Sequence, residues 1–149
     1  MSQEQLITYQ SALDDIRQMI INGRNTAYQA VNAAQVMTYW NIGKRIVEQE
    51  QHGADRAEYG SQLLAQLAGE LTAEFGSGFS ERQLRYFRQF YMCFPDPEIW
   101  NACVPNLSWT HFRSLLRVSD EAARIWYLRE AAAENWSART LDRNIGTQY

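Results

Sequence analysis

The sequence predicts an all-α protein, a compact bundle of about seven helices that contains a helix-turn-helix. Apolar residues recur at helical spacing along the 149 residues, and no stretch alternates apolar and polar residues long enough to form a half-buried strand. Only 3 prolines and 8 glycines interrupt these patterns. The length favours one domain over residues 1–149, and 46% hydrophobic with 21% charged residues is typical of a chain that folds.

The first half of the chain predicts two helices before a loop. One is expected over residues 4–21, where an apolar stripe ends at Asn22-Gly23, a typical helix stop. The second is expected from about residue 25 to 51 and is apolar on most sides between residues 31 and 47. Such a helix is either the central helix of the bundle or part of a subunit interface. The second interpretation predicts a homodimer, with an interface formed by Val36, Tyr39, Trp40 and Ile46.

The next two helices have the outline of a helix-turn-helix over residues 61–94. A loop and a short turn at residues 52–60 precede a helix over residues 61–74, which Gly76-Ser77-Gly78 stops. Ser80 is a suitable N-cap for the following helix, which ends near Phe94 at a Pro-Asp-Pro sequence.

Serine caps mark the three helices in the last third of the chain. After a loop to about Leu107, helices are expected over residues 109–117, 120–134 and 138–146. We expect Trp109, Trp126 and Trp136 in the core, because each lies beside a helix start or within an apolar stripe.

The helix that follows Ser80 divides into two faces when it is placed on a helical wheel. Its apolar face comprises Leu84, Phe87, Tyr91 and Phe94. The opposite side and its flank comprise the candidate DNA-binding residues Arg82, Arg85, Tyr86, Arg88 and Gln89. Arginine and glutamine are the side chains that bind guanine and adenine bidentately, so this division is typical of a recognition helix. The alternative is an amphipathic helix whose solvated face happens to be basic.

Charge is distributed unevenly along the chain, although the net charge is only −3. Residues 1–76 contain 5 basic and 9 acidic residues, whereas residues 77–149 contain 9 and 8. All nine basic residues of the second half are arginines, whose planar donors suit phosphate and guanine. This arrangement favours DNA as a partner more than the net charge suggests.

The sequence contains no complete catalytic, metal or cofactor motif. A Pro-Asp pair such as that at residues 95–96 opens a nuclease carboxylate motif, but that chemistry also needs a second carboxylate and a lysine on an adjacent strand. Lys44 is the only lysine, and it lies in a predicted helix. His52 and His111 lack zinc-site spacing, and Cys93 and Cys103 form no CxxC pair. No apolar run is long enough to span a membrane, and no signal peptide is apparent. We therefore expect a cytoplasmic, non-catalytic protein without metal or cofactor.

Several motifs resemble the N-terminal domain of the YhcG family, bacterial proteins in which a PD-(D/E)XK nuclease domain is expected to follow. They occur in the family's order over residues 36–145: Tyr39-Trp40-Asn41-Ile42-Gly43-Lys44-Arg45-Ile46-Val47-Glu48, Glu58-Tyr59-Gly60, Phe75-Gly76-Ser77-Gly78-Phe79-Ser80, Leu107-Ser108-Trp109-Thr110-His111 with Leu115-Leu116, and Trp136-Ser137-Ala138-Arg139 with Leu141. The sequence ends at Tyr149, where the nuclease domain is expected to begin. The resemblance implies a domain of undefined function in a nuclease-linked protein.

A shorter likeness concerns the segment after the helix-turn-helix. Residues 107–116 followed by residues 136–141 are similar to the corresponding segment of ParB-type DNA-binding proteins. We therefore expect a DNA-targeting module that partners a C-terminal nuclease domain. The alternative is an oligomerisation or protein-docking module that assembles the nuclease or recruits a partner.

Overall fold

The structure is a computed structural model that describes the backbone of residues 2–52 and 57–148, and their side chains except at residues 57–61. Those residues form seven α-helices and no strand, which confirms the predicted all-α class. The helices are α1 (Gln3–His52), α2 (Ala57–Phe75), α3 (Glu81–Cys93), α4 (Pro97–Asn101), α5 (Trp109–Leu115), α6 (Glu121–Ala133) and α7 (Ala138–Gly146). Short 3₁₀ helices span Ser77–Phe79 and Val104–Asn106.

The first two predicted helices are one continuous helix, α1, of 50 residues. The predicted stop at Asn22-Gly23 is wrong, because one glycine costs a helix only about 1 kcal/mol and no proline follows to end it. The Thr26 hydroxyl donates a hydrogen bond to the Asn22 carbonyl at 2.9 Å, which ties the turns on either side of Gly23. Residues 2–31 are exposed apart from half-buried Leu13, so α1 extends beyond the bundle.

The C-terminal half of α1 crosses α3 at very short range. Gly43 is buried there, and a Cβ atom at this position would lie 2.0 Å from the Phe87 carbonyl oxygen. The two backbones therefore touch at Gly43. Beside this contact, the Trp40 indole donates a buried hydrogen bond to the Phe94 carbonyl at 2.8 Å. This part of α1 is the central helix of the bundle, as the first interpretation of its sequence predicts.

Aromatic side chains fill the core beneath α3. The Phe90 ring lies 5.3 Å from Trp100 and 5.0 Å from Phe112, measured between centroids. Trp109 is buried as predicted, and Trp136 is half-buried. The prediction is wrong for Trp126, which is 43% exposed. The buried face of α6 carries residues 124, 127 and 128, and position 126 lies about half a turn from that face.

Helix boundaries in the second half agree closely with the sequence signals, except that the N-cap of α6 is Asp120 and not the predicted serine. Ser80 caps α3 as predicted, its hydroxyl accepting from the Gln83 N–H at 3.3 Å. The sequence missed α4, which the Pro-Asp-Pro stretch starts: Asp96 accepts from the Glu98 N–H at 2.9 Å, and Pro97 opens the helix. Residues 53–56 of the predicted loop and turn lie outside the described residues, and the rest of the predicted turn belongs to α2.

His111 is buried at the start of α5 and joins two parts of the chain. Its Nδ1 accepts from the Ser108 backbone N–H at 3.0 Å, so Nε2 carries the proton and donates to the Trp136 carbonyl at 2.8 Å. Burial lowers the pKa of His111, and the Trp136 hydrogen bond opposes that shift in part. Both ring nitrogens are thus satisfied only while the imidazole is neutral.

We expect the free energy of unfolding to fall as the pH drops below about 6.5, the ordinary histidine pKa, and to level off below the folded-state pKa. The reason is that the unfolded chain binds a proton on His111 in this window and the folded chain does not. Urea unfolding at pH 7.5 and 5.5 measures the effect. His111→Gln should flatten the dependence in this window; an unchanged dependence would contradict the assignment.

Candidate nucleic-acid interface

Helix α3 has one fully buried side and one narrow exposed side. Leu84, Phe87 and Phe90 have no exposed surface, so the inward orientation predicted for Leu84 and Phe87 is confirmed. The exposed stripe follows helical spacing and comprises Arg82, Arg85, Gln89 and Met92. Helix α2, a 3₁₀ turn and α3 follow one another in the predicted order, and both the helix-turn-helix and its DNA-binding role remain predictions.

Arg82 and Arg113 flank the ring of Tyr86. The Arg82 guanidinium donates to the Tyr86 hydroxyl from Nε at 3.3 Å and from Nη2 at 3.2 Å. The Arg113 guanidinium, from α5, lies 4.4 Å from the ring centroid. The hydrogen bond from Arg82 lowers the pKa of the Tyr86 hydroxyl most, and Arg113 lowers it further. Within the described residues neither arginine forms an ion pair, so both guanidinium groups can bind an anion.

A surface cleft of about 290 Å³ opens beside these three residues. Arg117, four residues after Arg113 and in the turn that follows α5, pairs with Asp142 of α7 at the edge of the cleft. The Ser114 hydroxyl also donates to Asp142, at 3.3 Å. The cleft is lined by Tyr86, Thr110, Arg113, Ser114, Arg117 and Asp142. The cleft lies where α3, α5 and α7 meet. We call the surface around it the arginine face and define it by Arg82, Arg85, Arg113 and Arg117.

The other predicted DNA-binding residues have partners within the chain. Arg85 pairs with Glu81 one turn earlier, at 2.7 Å. Arg88 donates from Nε to both carboxylate oxygens of Glu50, at 2.7 and 2.9 Å, which ties α3 to α1. The Gln89 amide donates to the Leu116 carbonyl at 3.2 Å. Arg85 remains 61% exposed, whereas Arg88 and Gln89 hold neighbouring helices together.

Other kinds of site are not evident in residues 2–52 and 57–148. No group of three or more histidine, cysteine, aspartate or glutamate residues among them is placed to hold a metal ion. None of the described helices combines the length and apolarity that a membrane span requires. The arginine face is therefore the strongest candidate binding surface in the described part of the chain.

Comparison with known proteins agrees with the sequence motifs. The family model described as the DUF1016 N-terminal domain matches residues 15–149. The chain belongs to this family. It is 32% identical over 170 residues to "Putative nuclease YhcG" of Escherichia coli strain K12, a match that covers 95% of this chain and 45% of that protein. This DUF1016 N-terminal domain thus spans less than half the length of that relative. No solved structure matches it.

Sequence reasoning missed two members of the arginine face in this DUF1016 N-terminal domain. Arg113 lies on α5 and Arg117 lies in the turn that follows it, and both side chains line the same cleft. Only the packing of α5 against α3 brings Arg113 next to Tyr86. The available signal was the all-arginine composition of the second half, which did not single out Arg113 and Arg117.

The residues predicted to form the dimer interface pack against other residues of the DUF1016 N-terminal domain itself. Val36, Trp40 and Ile46 are buried in its core. Tyr39 is half-buried, and its ring stacks on Phe87 at 4.1 Å. The three buried side chains are not available to a second copy, because the chain's own core already covers them. A homodimer would need a different surface.

Proposed function

We propose that this domain binds DNA through the arginine face and thereby directs a nuclease to its substrate. The observation that carries the proposal is the cluster of Arg82, Tyr86 and Arg113, in which two guanidinium groups flank one aromatic ring and pair with no carboxylate of the described residues. Arginines of this kind suit phosphate oxygens, which accept paired N–H donors. Arg85 and Arg117 extend the basic surface on either side.

The polar residues of α3 fall into two groups: some bind neighbouring helices, and others project outward. Arg88 fixes α3 against α1 through Glu50, and Gln89 fixes α3 against the end of α5. These contacts hold the backbone of α3 rigid while Arg82 and Arg85 project outward. Binding then orders few side chains beyond the arginines themselves, which limits its entropic cost.

The family relationship supports nucleic acid as the partner. The relative from Escherichia coli carries the name "Putative nuclease YhcG", and nucleases are enzymes that cleave phosphodiester bonds. A binding domain and a C-terminal nuclease domain on one chain raise the local concentration of DNA at the cleavage site. In this scheme the DUF1016 N-terminal domain supplies binding, and the nuclease domain supplies the catalytic carboxylates.

The experiment is a DNA mobility-shift titration at several salt concentrations. For the parent domain we expect binding that weakens steeply with salt, because phosphate contacts release counterions. The double variant Arg82→Ala/Arg113→Ala should bind at least about tenfold more weakly. It should also lower the salt slope by about two units, one for each phosphate that an arginine no longer binds.

Lys44→Ala/Arg45→Ala is the matched control, because it removes two exposed cations from α1 outside the arginine face. It should bind DNA as the parent does. Equal losses in both double variants would indicate a general charge effect and contradict the proposed face. A parent that binds no DNA at low salt would favour the alternative, in which the face docks an acidic protein partner.

A further inference from the structure

The projecting half of α1 carries an apolar seam with a regular heptad spacing. Its positions follow one another at alternating intervals of three and four residues: Leu6, Tyr9, Leu13, Ile16, Ile20, Gly23, Ala27 and Ala30. We call these residues the α1 seam. A seven-residue repeat sustained over more than three heptads is typical of a helix that supercoils with another helix, since it keeps one face turned toward the partner.

The α1 seam points away from the bundle to which α1 belongs. The core residues of α1, Val36, Trp40 and Gly43, lie about half a turn around the helix from the direction of the seam. A helix from another molecule can therefore approach the seam without meeting the chain's own described helices. The small residues at positions 27 and 30 allow close approach where the seam nears the bundle.

Large apolar side chains on and beside the seam are exposed. The exposed large hydrophobic residues on the seam are Leu6, Tyr9, Ile16 and Ile20, and the exposed side chains of Met19 and Val31 flank it. Half-exposed side chains of this size offer about 100 Å² each, and a stable interface needs about 800 Å² per partner. These six side chains supply most of that area, and the half-buried Leu13 and the small residues of the seam add to it. Most of the stability of a helix in a protein comes from packing of its apolar face, and the projecting half of α1 lacks such packing against the described residues of its own chain.

We infer that a second copy of this chain covers the α1 seam and forms a coiled coil with it. A second copy carries the same repeat, so the two seams match along their whole length. Residues 3–31 contain three acidic and two basic side chains, so the charge of this segment is nearly balanced and two copies do not repel strongly. A membrane surface fits less well, because helices that lie on membranes are rich in lysine and arginine, and this segment contains only Arg17 and Arg24.

The test is the mass in solution of the full chain, measured by sedimentation equilibrium at high micromolar concentration. The parent should sediment at twice the 17.3 kDa chain mass. Ile16→Asp/Ile20→Asp introduces charge into the centre of the seam and should give the monomer mass. The far-ultraviolet circular dichroism of this variant should also lose helical signal, whereas its tryptophan signal should persist because the bundle is untouched.

Ser11→Asp/Gln18→Asp is the matched control: it adds the same charge on the polar side of the same segment and should remain a dimer. A monomeric parent would overturn the inference. So would a dimer that survives the seam variant, since another surface would then hold it. DNA binding by the arginine face is measured separately, so either proposal can fail without the other.

Discussion

Gly43→Ala is expected to destabilise the fold by about 3 kcal/mol, at the upper end of the usual cost of overpacking. The added Cβ would lie 2.0 Å from the carbonyl oxygen of Phe87 and 2.7 Å from its carbonyl carbon. These are backbone atoms of α3, which cannot rotate aside as a side chain would. Relief requires α1 and α3 to separate, and separation opens the core beneath them. Urea unfolding followed by tryptophan fluorescence measures the loss.

Gly23→Ala provides a control with the opposite sign. This glycine lies in the same helix, and an added Cβ would meet nothing within 4 Å. Alanine should therefore stabilise α1 by up to about 1 kcal/mol, because it favours the helix over the unfolded chain. A Gly43→Ala protein as stable as the parent would mean that α1 and α3 do not approach as closely as described.

Phe87→Ala is expected to cost about 3–5 kcal/mol, the range for removal of a fully buried phenylalanine. The Phe87 ring has no exposed surface and stacks on Tyr39 at a centroid distance of 4.1 Å. Trp109 also lies against it, at 5.4 Å. Alanine would leave a cavity between α1, α3 and α5, which these large rings cannot fill without leaving their own contacts. The midpoint of thermal or urea unfolding should fall accordingly.

Met92→Ala is the comparison on the same helix. Met92 is 56% exposed, so its truncation should change stability by no more than about 0.5 kcal/mol. If Phe87→Ala proved as mild as Met92→Ala, the buried and exposed sides of α3 would be interchanged, and the outward direction assigned to Arg82 and Arg85 would be wrong.

Both effects matter for the proposed DNA contact, because the arginine face depends on the α1–α3 crossing. The Glu50–Arg88 pair and the Gly43 contact position α3 from one side, and Gln89 positions it against α5 from the other. Variants that loosen this crossing should weaken DNA binding indirectly, together with stability. Arg82→Ala/Arg113→Ala should weaken binding alone, since the described contacts of these side chains lie at the surface.

The all-α class, the caps of α3 and α7 and the buried side of α3 could all be predicted from the sequence. These features depend on the spacing of apolar residues and on hydrogen bonds between residues close in sequence, such as that from the Gln83 N–H to the Ser80 hydroxyl. Both can be inferred from the sequence. The outward direction of Arg82 and Arg85 could also be predicted, because the apolar spacing of residues 84, 87 and 94 fixes the opposite side of the helix.

Three other points required the tertiary structure. Helix α1 is continuous through Gly23: Asn22-Gly23 is a typical stop, one glycine costs a helix only about 1 kcal/mol, and the sequence does not show which of the two prevails. Val36, Trp40 and Ile46 lie in the chain's own core, and an apolar helix does not specify which surface will cover it. Arg113 lies beside Tyr86, 27 positions away in sequence, because helix packing sets distances that chain spacing does not.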